Sequence, residues 1–416
     1  MGMAAPVFRP AAAGDPAAWG ASALRQRLVR MHRWFGLLAS VWLLGICLSG
    51  AVIAFDDEID GLLNPDLFRA TAGGSVPGAI AAVQARHPDQ TLRYVFIDPK
   101  VPGLVRMGVK DAVGTPHELF VDSGTGETLG TRAQHNGLGR RYLVPTIYRL
   151  HHTFLGGAGL AWFLGVVALL WALDHLVALG IAFTNRHRWG ESFRVRRGAH
   201  AYKLHFDLHR AAGVWLWPIT FMLAVSGLYF NWHKDVVSAL TRFHLVTPEM
   251  SERPQALSGP GMTWPQAYER FAALAAPEPV TSFSYDESRR AWRSRMRDPR
   301  DLSANGMRIV WLTADGRLIR DRHETQGTVT DTALAWMYPL HSGLAFGLAG
   351  RIAITVSGLL ISVMIVTGLL IWSRKRLARR RHAGRRGPVP ERWRVAVPDE
   401  LPAVVRPAPI MATRDA

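Results

Sequence analysis

The chain has 416 residues, 49% of them hydrophobic, a formal net charge of +17 and a single cysteine, Cys47. One cysteine excludes an intrachain disulfide framework, a CxxC redox motif and a CxxCH haem-attachment site. The basic excess sits beside apolar segments, where topology and anionic lipid account for it, so nucleic acid is not expected as a partner.

Residues 1–30 form a basic N-terminal segment holding Arg9, Arg25, Arg27 and Arg30. The first predicted span covers 31–56 and contains about 22 successive uncharged residues, 34–55. At ~1.5 Å per residue that run reaches about 33 Å, enough to cross the hydrocarbon core as a helix. It is longer than a signal-peptide core and lacks a convincing small-x-small cleavage site, so a retained anchor is expected. Residues 57–149 alternate polar and apolar side chains after a short helical stretch, which predicts a small antiparallel sheet with one helix packed on it.

A second span is predicted over 150–184 and a basic loop over 185–208, with Arg186, Arg188, Arg194, Arg196, Arg197 and Lys203. The third span covers 209–233, a second strand-rich segment 234–339 and a fourth span 340–373. The tail, 374–416, is rich in Arg and Pro and has no period, so disorder is expected there. The arginine-rich segments, 1–30, 185–208 and 374–416, share one side of the spans, which places the N-terminus, the basic loop and the tail in the cytoplasm and both strand-rich segments outside.

The halves repeat. Setting His32 on His209 puts Ser49-Gly50 on Ser226-Gly227, and setting Leu150-His151 on Leu340-His341 starts spans two and four alike. The expected architecture is a membrane all-α four-helix bundle with two small extracytoplasmic α+β domains and an internal two-fold repeat.

Histidine opens each span: His32 in LVRMHRWFG, His151 with His152 beside it in YRLHHTFLGG, His209 in HFDLHRAAG and His341 in YPLHSGLAFG. A side chain able to ligate iron, repeated in register, is the pattern of a membrane cytochrome. Spans one and three run outward and two and four inward, so His32 pairs with His209 at the inner boundary and His151 with His341 at the outer one. Each pair could clamp one haem iron. Either His151 or His152 could supply the outer ligand. Gly36, Gly213, Gly156, Gly157 and Gly347 lie within two turns of the ligands, where a flat macrocycle could enter or helices could pack closely. Arg33 and Arg210 inside, and Arg149 and Arg351 outside, are candidates for haem propionates. His175, next to Asp174 within span two, could replace an inner ligand, bind a propionate or relay protons.

The HRW and LHR openings of spans one and three, LHxxxLGG, LHSGxxxG and FVDSGTGETLG together resemble the PepSY-associated transmembrane-helix family of iron-regulated inner-membrane proteins, over roughly residues 25–380. That resemblance implies PepSY-like outer domains and two haem b groups on His32, His209, His151 and His341. It also implies reduction of ferric siderophore iron at the periplasmic face of the bacterial inner membrane. No dinucleotide fingerprint, Walker loop, HExxH or GxSxG is present, so electrons are expected from quinol or a cytoplasmic flavin reductase. The alternative expectation is a non-enzymatic, membrane-anchored PepSY module that binds peptide or peptidase, or assists a transporter, without haem.

Overall fold

The computed structural model describes residues 16–184, 187, 189–196, 198, 200–248 and 261–385. Arg9, Arg186, Arg188, Arg197 and the tail beyond 385 lie outside the described residues.

Three helices are long and apolar enough to cross a membrane. The first lies within α1 (Pro16–Ile53) and the second is α5 (Gly157–Ala182). The third lies in α12 (Gly347–Arg385), which stays helical past residue 373, where the expected tail begins. The third predicted span is not one helix. It is a pair, α7 (Ala201–Trp215) and α8 (Trp217–Asn231), bent by 66°. Pro218 enters at the start of α8, where it has no N–H to give the preceding turn and its ring crowds the carbonyl four residues back.

Spans two and four are each preceded by a separate helix carrying the histidines, α4 (Arg140–Thr153) and α11 (Val329–Ser342). The chain breaks between α4 and α5 through Phe154, Leu155 and Gly157, all at positive φ. Between α11 and α12 it breaks at Gly343 (φ 79°), where a Cβ would come within 2.4 Å of the Gly350 backbone, so only glycine fits.

The outer segments correct the expectation of two small domains. The first gives α3 (Val76–Arg86) and β1 (Thr91–Ile97), β2 (Leu104–Lys110), β3 (Pro116–Asp122) and β4 (Thr128–Ala133). The second gives α10 (Trp264–Ala275) and β5 (Val280–Asp286), β6 (Ala291–Met296), β7 (Arg308–Thr313) and β8 (Leu318–His323). These strands form one antiparallel sheet of eight, ordered β4-β3-β2-β1-β5-β6-β7-β8. The halves meet where β1 pairs with β5 through Tyr94↔Ser284, Val95↔Phe283 and Phe96↔Ser282. Each half alone would leave its first strand as an open edge, and pairing the two removes both edges.

Both helices lie over this sheet, and the core is shared. Ile80, Val83, Val95 and Met107 from one half pack in the same cluster as Phe271, Phe283 and Trp292 from the other. Burying each of these contributes about 1.5–3 kcal/mol. The helices start where their caps dictate. Ser75 accepts the Gly78 N–H for α3, and capping boxes Thr263/Gln266 and Thr328/Asp331 open α10 and α11. A four-helix bundle with two small domains therefore does not describe this chain. Among the described residues there are twelve α-helices and one eight-stranded sheet, with three unbroken candidate spans and one bent helix pair.

Candidate functional site

The helices bring four histidines into two pairs. His32 of α1 and His209 of α7 face each other with ring centres 6.1 Å apart and planes at 62°. His151, near the end of α4, and His341, near the end of α11, stand at 6.1 Å and 66°. These are the pairs that the topology argument joins.

Each ring is held by Nδ1. His32 donates to Asp174 Oδ2 at 2.8 Å and His209 to the Met364 carbonyl at 3.0 Å. His151 donates to the Ile46 carbonyl at 3.0 Å, with Ser49 Oγ at 3.2 Å. His341 Nδ1 is hydrogen-bonded with Ser226 Oγ at 2.7 Å. Ser49 Oγ and Ser226 Oγ also lie within hydrogen-bond reach of the carbonyls one turn back, Gly45 O at 2.6 Å and Met222 O at 2.7 Å. Asp174 Oδ2, Met364 O and Ile46 O can only accept, so Nδ1 carries the proton in His32, His209 and His151. Nε2 is left with its lone pair, and no hydrogen bond reaches it among the described residues. That is how a metal-ligating histidine is normally oriented. The two histidines of each pair are the residues that would hold a metal between them.

Glycines stand close to three of the four histidines. Among the described residues no three His, Cys, Asp or Glu side chains converge on a point that could hold a bare ion. One turn beyond His32, a Cβ on Gly36 would meet nothing within 4 Å, and one turn beyond His209, a Cβ on Gly213 would meet only Met364 Cε at 3.9 Å. On the outer side, a Cβ on Gly50 would lie 2.8 Å from His151 Cε1, so glycine lets this ring rest on α1.

The arginines separate into two kinds. Arg351 is committed to protein, donating to Ala54 O at 2.7 Å and to both oxygens of Glu58. This guanidinium holds the Glu58 carboxyl down at about 2. Arg149 is likewise spent, on Asn136 and the His135 carbonyl. Arg33 lies over the Trp34 ring at 5.7 Å. Arg210 reaches Asp207 through one Nη at 3.4 Å, and its buried Nε has no partner. His205, one turn before His209 on α7, also has a buried, unpartnered Nδ1. Both residues lie on α7 within about a turn of His209, and an unpartnered guanidinium N–H suits an anionic group.

The remaining histidines are occupied otherwise. His175 uses both nitrogens, bonding Trp171 O and Thr220 Oγ1 at 2.7 Å each, and packs among Trp171, Trp217 and Phe221. It is a satisfied core side chain. His152 stacks on Tyr148 at 4.1 Å, so of the adjacent pair it is His151 that faces His341. His233 packs edge-on against Tyr229 at 5.0 Å.

The pairs also sit deeper than span boundaries. His151 bonds Ile46 O on α1, 14 residues from His32 on the same helix, or about 21 Å along its axis. The breaks before α5 and α12 place both outer histidines beside the spans instead of at their mouths. At the outer end, Tyr148 and Tyr338 are 41% and 46% exposed beside the pair, and Phe230 packs edge-on against His341 at 5.3 Å.

Sequence reasoning did not find Asp174 as the partner of His32, nor the serines as partners of the outer pair. The Ser-Gly repeat carried the second signal.

A family model described as the PepSY-associated TM region matches residues 29–375, so the chain belongs to that family and is a membrane protein. No curated protein matches it.

Proposed function

We propose that this PepSY-associated TM protein is a dihaem b-type oxidoreductase of the bacterial inner membrane that reduces ferric siderophore iron at the periplasmic face, with both termini cytoplasmic. One observation carries the reading. Four imidazoles stand in two facing pairs, each with Nδ1 hydrogen-bonded and, among the described residues, no hydrogen bond at Nε2. Haem b held by His32 with His209 and by His151 with His341 would supply one-electron transfer between the two membrane faces.

The chain's own residues do the rest. The Nδ1 acceptors fix ring orientation and tautomer, so no ligand has to reorganise between oxidation states. Arg210 and His205 offer donors to an inner propionate. Tyr148 and Tyr338 give the outer pair an exposed aromatic margin on which a bulky chelate can rest. Reduction of a ferric chelate needs one electron and weakens the hold on iron, so no acid–base constellation is required. Quinol or a cytoplasmic flavin reductase is the proposed donor.

The test is anaerobic mixing of dithionite-reduced protein with ferric hydroxamate, catecholate and carboxylate siderophores. The reduced α and Soret bands should decay while a ferrous chelator develops colour. A reduced spectrum that persists against the whole panel overturns the reductase reading, and a colourless, folded, full-length preparation favours the non-enzymatic module. For orientation, reporter fusions after residues 140 and 300 should report periplasm, and those near 195 and after 385 cytoplasm, following the arginine asymmetry. A cytoplasmic signal from either strand-rich segment would put reduction on the wrong face.

A further inference from the structure

The four ligand candidates are not held alike, and the difference follows the repeat. An offset of 190 residues sets His151 on His341 and the first residue of α5, Gly157, on that of α12, Gly347. The same offset sets Asp174 on Met364. These two positions are the ones that bond the inner histidines. In one half the acceptor is the Asp174 carboxylate, on His32 at 2.8 Å, and in the other it is the Met364 backbone carbonyl, on His209 at 3.0 Å. The outer histidines have only neutral acceptors, the Ile46 carbonyl and the Ser49 and Ser226 hydroxyls.

A backbone carbonyl would have sufficed to orient His32, as it does His209. An aspartate inside a span costs several kcal/mol more than an apolar residue there, and its side chain is only 10% exposed. Orientation alone does not account for that cost.

We infer that Asp174 is a positioning and tuning residue that makes the inner histidine pair the low-potential end of the protein, and so sets the direction of electron flow outward. The inference rests on the proposed dihaem reading. A carboxylate accepting the Nδ1 proton increases electron donation from Nε2 and places negative charge beside the iron site, and both effects favour the ferric over the ferrous state. One electron then moves downhill from the inner pair to the outer pair, with no proton or further reactant. The outer pair, lacking any charged acceptor, stays at the higher potential.

The substitution that separates tuning from orientation is Asp174→Asn, which keeps an oxygen acceptor of the same length and removes the charge. Spectroelectrochemical titration of the full-length protein should show two haem transitions, the lower assigned by its loss in His32→Ala. Asp174→Asn should move that lower transition upward by at least a tenfold change in its redox equilibrium, about 59 mV for one electron, and leave the higher one in place. Low-spin ferric EPR should show a matching change in the inner signal alone, and Asp174→Glu should restore the low potential. An unmoved lower transition in Asp174→Asn overturns the inference while the dihaem reading stands. Loss of the inner haem from both variants also overturns it, making Asp174 a fold determinant. Absence of haem from the wild-type inner pair ends the dihaem reading, and this inference with it.

Discussion

Replacing His151 or His341 by alanine should lower the haem content of the purified protein from two per chain to one, measured as pyridine haemochromes. Each variant removes one of two axial ligands, and the remaining imidazole cannot supply the pair geometry seen at 6.1 Å. The same loss is expected from Gly50→Val, which removes no ligand. A Cβ there would meet His151 Cε1 at 2.8 Å, and the ring cannot move away without breaking its bond to Ile46. His32→Ala and His209→Ala should strip the inner haem instead. His152→Ala and His175→Ala should retain both, because the first ring stacks on Tyr148 and the second has no free nitrogen. Should His175→Ala by itself remove the inner haem, the inner assignment is wrong. A wild-type spectrum in all four ligand variants would sink the whole scheme.

The largest effect on stability should come from Asp60→Ala. Asp60, in the short helix α2 (Asp56–Leu63) that follows the first span, takes both oxygens to Arg132 on β4 at 2.9 Å each. Both residues are 5% exposed, and Asn64 adds a third bond to the carboxylate at 2.8 Å. Removing the carboxylate leaves a guanidinium buried without its counter-charge, which typically costs about 3–5 kcal/mol. The pair also ties the end of the first span to the edge of the sheet, so the variant should loosen the outer region before the spans. Thermal unfolding of the full-length protein, followed by tryptophan fluorescence, should show the drop. The double variant Asp60→Leu/Arg132→Met should recover most of it, since an apolar pair leaves no buried charge unpaired. A loss below about 1 kcal/mol for the single variant would mean that water reaches Arg132.

The elements that could be read from sequence are those set by local rules. Uncharged runs of membrane length mark the spans because hydrocarbon admits only self-satisfied backbone. Ser75, Thr263 and Thr328 mark helix starts because their oxygens accept orphan N–H groups nearby in sequence. The register of His32 with His209 and of Ser49 with Ser226 was visible as a repeat, because equal positions in duplicated halves share an environment. Even the bend after Trp215 had a local cause in Pro218, although an uncharged run hides it from a count of apolar residues.

Tertiary structure decided everything that depends on a partner distant in sequence. Nothing local distinguishes two small sheets from one of eight strands, because the deciding contact is Val95 against Phe283, and either strand alone would serve equally as an edge. Nor does sequence choose His151 over His152, since adjacent residues on a helix differ by about 100° in direction and only the packing of α4 on α1 shows which ring meets His341. His175 looked like a ligand until Thr220 and the Trp171 carbonyl were seen to occupy both nitrogens. Asp174, known from sequence only as the neighbour of His175, has its oxygen on His32, 142 residues away. Which residues can be ligands is a matter of composition and spacing. Which ones have a lone pair left over is fixed by hydrogen bonds that only the folded chain can make.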